Sequence, residues 1–190
     1  MQNNFKATKA EIRKSVLQKR DALSFGERQQ KSQVICKKLE DLILSEAFEK
    51  GYEIRTIALY DSINSEVDLT ELASNPLMSD TFRLLKPIMS DTLGHMEFVE
   101  WSTDLNPMKK YDITNFLTIP PDEIDVIVCP LVAFDKDNCR LGYGGGYYDR
   151  YYLRLRYDVP KIGVAYSCQE VKAVPCESHD LKLDRIITDT

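Results

Sequence analysis

Residues 125–153 read DVIVCPLVAFDKDNCRLGYGGGYYDRYYL. The run 125–134 is apolar and rich in β-branched residues, the composition of a strand buried in a sheet. A polar turn, Asp135 to Asn138, follows it, then Gly142, Gly144, Gly145 and Gly146. Beyond the glycines, Tyr148, Tyr151, Tyr152 and Leu155 fall on one helical stripe. Strand, turn, glycine loop and helix in this order predict one unit of an open α/β sheet, where ligands sit at the carboxyl ends of the strands. The glycines permit positive φ and close backbone approach, so successive N–H groups can turn toward one anion, and a helix opening near Tyr147 adds its positive end. Phosphate suits such a loop, although glycine clusters also make plain tight turns. The spacing is neither G-x-x-x-x-G-K-[ST] nor G-x-G-x-x-G.

Outward from this unit the chain reads as more strands: 54–60 (IRTIALY), 82–87 (FRLLKP), 96–101 (MEFVEW) and 161–166 (KIGVAY), each bounded by turn residues. Ser65 to Ala73 predicts a helix between the first two. Two longer helices open the chain, each behind a capping box, Thr8 with Glu11 and Ser24 with Glu27. Phe5, Ile12, Val16 and Leu23 form the apolar stripe of the first, and Val34, Ile35, Leu39, Leu42 and Ile43 that of the second. Residues 104–125, with Pro107, Pro120 and Pro121, predict a long irregular connection. The expectation is a single three-layer α/β domain over residues 1–190, with a mostly parallel sheet.

The chain has 190 residues, 43% hydrophobic and 29% charged, with a formal net charge of −5. That balance argues against a nucleic-acid partner or an anionic membrane surface, both of which reward basic proteins. No apolar run approaches the roughly 20 residues of a membrane span, and the start lacks the apolar core of a secretory signal, so a cytoplasmic location is expected. Cys36, Cys129, Cys139, Cys168 and Cys176 are scattered, with no C-x-x-C pair, and predict free thiols. Neither Cys139 nor His95 is assigned a role.

Any basic site must therefore be local. Arg140 can add a bidentate donor beside the glycines, and Asp149, in the first turn of the following helix, can reach a cation riding on phosphate oxygens or simply satisfy the helix dipole. If Thr8 is the cap, Lys9 stands at the first helical position, where a cation is least welcome unless an anion is near. Lys6, Lys9, Arg13 and Arg20 share an arc of roughly 60° beside the apolar stripe, placed to line a groove or to snorkel along the edge of the core.

The loop RLGYGGGYYDR, residues 140–150, resembles the R-L-G-x-G-x-G-Y-Y-D signature of the 5-formyltetrahydrofolate cyclo-ligase family. The likeness extends to the basic K-x-x-x-R of Lys9 and Arg13, to Glu66 in NSEVD, and to His179–Asp180 near the end. It implies a fold similar to ribose-5-phosphate isomerase and coenzyme A transferases. It also implies an ATP- and Mg2+-dependent cyclisation of 5-formyltetrahydrofolate to 5,10-methenyltetrahydrofolate, acting on the folate and its polyglutamates, as a monomer. Carried over by position, Lys9, Arg13 and the loop Arg140, Leu141, Gly142, Tyr143, Gly144, Gly145, Gly146, Tyr147 and Tyr148 would hold ATP. Gly144, Gly145 and Gly146, with Tyr143 and Tyr147, would also touch the folate, and Glu66 would anchor its pterin. Asp61 matches a looser substrate-lining position, and Asp149 and Asp180 would ligate magnesium.

Tyr143 and Tyr147 could stack on the pterin or pack. One departure stands out: where the family carries a glycine-isoleucine-x-glutamate-proline segment, this chain reads KKYDITNFLTIP, with Asn115 or Phe116 in place of the acid. A non-catalytic folate or nucleotide binder, or an enzyme of sugar phosphates or coenzyme A thioesters, are the competing classes.

Overall fold

A computed structural model describes residues 7–49, 53–90, 94–102, 104–176 and 182–190. Phe5, Lys6, His179 and Asp180 lie outside the described residues. Both N-terminal caps form as expected. Thr8 accepts from the Glu11 N–H at the start of α1 (Lys9–Asp21), and the Glu11 carboxylate accepts from the Thr8 N–H at 2.8 Å. Ser24 and Glu27 repeat the pattern before α2 (Phe25–Glu49). On α2 Ile35, Leu39 and Ile43 are buried, but Val34 is 40% exposed. Val34 sits about 100° around the helix from Ile35, outside the arc that faces the sheet.

The main sheet contains β1 (Thr56–Ala58), β2 (Arg83–Ser90), β3 (Met96–Glu100), β4 (Lys110–Tyr111), β5 (Val126–Pro130), β8 (Lys161–Val164) and β9 (Arg185–Ile187). Its order is β3-β2-β1-β5-β8-β9, with β4 beside the far end of β2. Every pairing is parallel except β2 with β3. Alternation along the strands builds a core on each face. Ile57, Val126, Val128 and Ile162 point to α2, while Ala58, Ile127 and Cys129 point to the tyrosines of α5 (Tyr147–Tyr152). A mixed α/β architecture with a largely parallel sheet between helices is thus present.

Four expectations need correction. The run 125–134 is two strands, because Pro130 ends β5 and the chain turns out at Leu131 and Val132. Their carbonyls accept from Gln169 Nε2 at 2.7 and 3.1 Å instead of from a neighbouring strand. Ala133–Phe134 is then β6, paired antiparallel with β7 (Arg140–Leu141). The turn between them closes on Asp135, whose Oδ1 accepts from the N–H groups of Asp137 and Cys139. This hairpin receives α1, since Ile12 and Val16 pack with Val132, Ala133, Cys139 and Leu141.

Secondly, only Thr70–Ala73 (α3) of the predicted helix 65–73 is helical. Asp68 accepts the Thr70 N–H at 2.9 Å, and Ser32 Oγ accepts the Asp68 N–H at 3.0 Å, so side chains take backbone donors that a helix would need. A further helix, α4 (Pro76–Thr81), follows behind an Asn75 cap and Pro76. Thirdly, residues 104–125 include β4 and two short 3-10 turns, Ile113–Asn115 and Pro121–Glu123. Finally, β9 was not anticipated, since its three residues, RII, are too few to show alternation.

Candidate active site

The glycine loop leaves β7 and enters α5 at the carboxyl-end side of β5, where an α/β sheet places its ligands. Gly144 has φ 100° and Gly146 has φ 66°, conformations in which side chains are strained. Arg13 reaches the loop from α1. Its Nε donates to the Gly142 carbonyl at 2.8 Å, and its Nη2 lies 3.4 Å from where a Cβ on Gly144 would stand. A cation from the start of the chain therefore lies against bare backbone from its last third. Lys9 opens the same helix, one turn earlier.

Behind the loop, Arg140 turns inward. Its side chain is 5% exposed and its Nη2 donates to Asp149 Oδ1 at 2.6 Å. Its Cζ sits 5.7 and 5.2 Å from the ring centres of Tyr148 and Tyr152, so these two tyrosines pack against a buried cation. The Asp149 side chain is 43% exposed. Arg150 pins the other side of the loop, donating to the carbonyls of Gly94 and Gly145 at 2.7 and 2.8 Å with its guanidinium over the Tyr147 ring.

Beside the loop lies a buried acid. Glu66 is 7% exposed, and burial pushes its carboxyl up to about 7. The Ile63 N–H, the Arg20 charge and the Tyr143 hydroxyl pull in the other direction and are outweighed. Glu66 lines a cleft of about 400 Å³ with Phe25, Arg28, Asn64, Asp68 and Tyr166. Asp61 lies in a second cleft of about 420 Å³, with Trp101 and Asn106, where it pairs with Lys86. Lys86 is 1% exposed and also donates to the carbonyls of Ser102 and Leu105. Thr70 borders both clefts.

The structure thus brings together Arg13, the glycine loop, Tyr143 and Glu66, and sets Asp61 in the neighbouring cleft. Asn115, at the divergent segment, is exposed in a 3-10 turn capped by Asp112, and Phe116 stacks edge-on against Tyr111. Sequence reasoning missed Lys86, Arg150 and the buried position of Arg20. For Arg20 a signal was available, because it continues the i, i+4 line of Ile12 and Val16 into the core.

This architecture recurs in known enzymes. A solved 5,10-methenyltetrahydrofolate synthetase from Mycoplasma pneumoniae matches with a TM-score of 0.77 and 36% identity, covering 97% of this chain and all of that one. The corresponding Aquifex aeolicus structure matches with a TM-score of 0.70 and 29% identity over 95% of this chain and 89% of its own. Among sequence relatives, a 5-formyltetrahydrofolate cyclo-ligase of Mycoplasma pneumoniae is 37% identical over 179 residues, 94% of this chain and 96% of the relative. One from Escherichia coli K12 is 31% identical over 147 residues, 70% of this chain and 77% of the relative. The profile of the 5-formyltetrahydrofolate cyclo-ligase family matches residues 5–189. These likenesses define an enzyme of the ligase class. The chain belongs to the 5-formyltetrahydrofolate cyclo-ligase family.

Proposed function

We propose that the chain catalyses the cyclisation of 5-formyltetrahydrofolate to 5,10-methenyltetrahydrofolate at the expense of ATP, with release of ADP and phosphate. The observation that carries this reading is the Arg13 guanidinium laid against Gly142 and Gly144. A loop with exposed amides, a guanidinium beneath it and a helix start beyond it suits a triphosphate.

The chemistry asks mainly for positioning and charge neutralisation. The N-formyl oxygen is a poor leaving group. Transfer of the γ-phosphoryl group to that oxygen makes an iminium phosphate and ADP; the folate's own N10 then attacks the activated carbon and phosphate departs with the oxygen. Lys9 and Arg13 neutralise the phosphates, and the backbone from Gly142 to Gly146 orients them. Tyr143 and Tyr147 border the formyl end, and Glu66, once ionised, accepts from the pterin's N–H groups. Leu141 and Tyr148 hold the loop from the buried side, and Arg140 aligns Asp149.

Magnesium fits the donor chemistry, since Asp149 keeps one carboxylate oxygen clear of Arg140 and magnesium takes one or two carboxylates together with phosphate oxygens and water. Asp149 and Asp180 would hold it, and when bound it supplies charge neutralisation at the transferring phosphate. The same reading extends the fold likeness to ribose-5-phosphate isomerase and coenzyme A transferases. It has the enzyme working as a cytoplasmic monomer on the folate and its polyglutamates.

The test is direct. Purified protein mixed with 5-formyltetrahydrofolate, ATP and magnesium is followed by near-ultraviolet absorbance of the methenyl product. Turnover that needs all three components is expected, and no signal at stoichiometric enzyme would remove the proposal.

A further inference from the structure

Arg20 lies two turns beyond Arg13 on α1 and is 1% exposed, the largest side chain among the most deeply buried. Its guanidinium reaches three separate segments. Nε donates to Ser65 Oγ at 2.9 Å in the loop after β1, and Nη1 points to the Leu131 carbonyl at 3.5 Å where β5 gives way to β6. Nη2 donates to the Tyr143 hydroxyl in the glycine loop, with Cζ 5.7 Å from the centre of that ring. Ser65 Oγ in turn donates to the Asp21 carboxylate. The guanidinium's planar fork sets its Nε and two Nη donors at separate points, a spread that the single nitrogen of an ammonium does not reproduce.

The direction of these bonds matters. Because Arg20 donates to the Tyr143 oxygen, the Tyr143 proton is free to point elsewhere, and the Tyr143 hydroxyl holds the neighbouring Glu66 carboxyl down. Glu66 is held from behind by the Ile63 N–H at 3.0 Å. Arg20 thus ties α1 both to Tyr143 of the glycine loop and to Ser65, the residue beside the buried acid.

We propose that Arg20 is a positioning residue for the folate, acting through Tyr143 and Ser65 to fix the Tyr143 side chain and Glu66 in one register so that formyl group and pterin are gripped together. This rests on the cyclo-ligase reading. Arg20 meets the loop at the Tyr143 side chain and touches neither its amides nor the Arg13 contact, so its influence should fall more on the folate than on ATP.

Steady-state kinetics of the full chain separate these cases. Arg20→Lys and Tyr143→Phe are each expected to raise the KM for 5-formyltetrahydrofolate about tenfold, the loss of one charge-assisted hydrogen bond, with the KM for ATP within about twofold of wild type. The double variant should be no worse than the poorer single one, since both break the bond between Arg20 and Tyr143. Should Arg20→Lys fail to fold, Tyr143→Phe carries the test alone, as Tyr143 is 45% exposed. The acid limb of its folate KM should then move to higher pH. Glu66 is faced by Arg20 of α1, Tyr143 of the glycine loop, Tyr60 after β1 and Tyr148 of α5, with Tyr166 on its backbone carbonyl. Among these side chains Arg20 and Tyr143 hold its proton affinity down, so losing the Tyr143 hydroxyl leaves a carboxyl that ionises later. An active wild type whose variants keep the folate KM, lose both KM values equally, or combine multiplicatively overturns the inference alone. A wild type without turnover overturns the activity and the inference together.

Discussion

Arg13 Nε and the carbonyl oxygen of Gly142 are 2.8 Å apart, joining residues 129 positions distant in the chain. The contact fixes α1 to the glycine loop and leaves the neighbouring amides uncovered. Gly144 sits at φ 100°, where a side chain is strained, with Arg13 beneath it. Gly144→Ala should cost about 1–3 kcal/mol of backbone strain, read by chemical denaturation, and should raise the KM for ATP about tenfold. Wild-type ATP binding in this variant would mean that the loop geometry is incidental.

Glu66 gives a stability prediction with a definite sign. Its carboxyl is raised from 4.5 to about 7 by burial, so the folded state holds its proton where the unfolded state has lost it. Below about pH 4.5 the neutral form is present in both states and no penalty applies. As pH rises from about 4.5 to about 7 the unfolded chain releases the proton that the folded protein retains, and stability falls progressively by about 3 kcal/mol, levelling off once the folded carboxyl also ionises. Glu66→Gln should therefore be more stable than wild type at pH 8 and lose that advantage at pH 4, measured by urea denaturation at both. It should also bind folate poorly. Equal stability differences at the two pH values would contradict the burial argument.

Asp149 is both the partner of buried Arg140 and the proposed magnesium ligand. Asp149→Ala strands a buried guanidinium and should lower stability by about 1–3 kcal/mol as well as abolish turnover. Asp149→Asn keeps an acceptor for Arg140 and should fold normally, yet require about tenfold more magnesium for half-maximal rate. An unchanged magnesium requirement would return Asp149 to a purely structural role.

Much of this was legible because the signals were local. The Thr8–Glu11 and Ser24–Glu27 boxes mark both N-terminal helices, and the glycines at 142 and 144–146 announce a loop of backbone conformations that side chains rarely adopt. The errors came where distant residues compete for local groups. Gln169 takes the carbonyls of Leu131 and Val132, splitting a run of uniform hydrophobicity into two strands, and Asp68 and Ser32 unwind the start of a predicted helix. Arg20 reads as one more edge cation until Ser65, Leu131 and Tyr143 converge on it, and nothing near Lys86 in sequence reveals its partner Asp61.

The central claim is that a guanidinium from the first helix and amides bared by glycine grip the triphosphate together. The most direct measurement is the KM for ATP of Arg13→Ala against wild type, at saturating 5-formyltetrahydrofolate and magnesium. A rise of at least about tenfold, with the folate KM nearly unchanged, is predicted. An ATP KM equal to that of wild type would contradict the account.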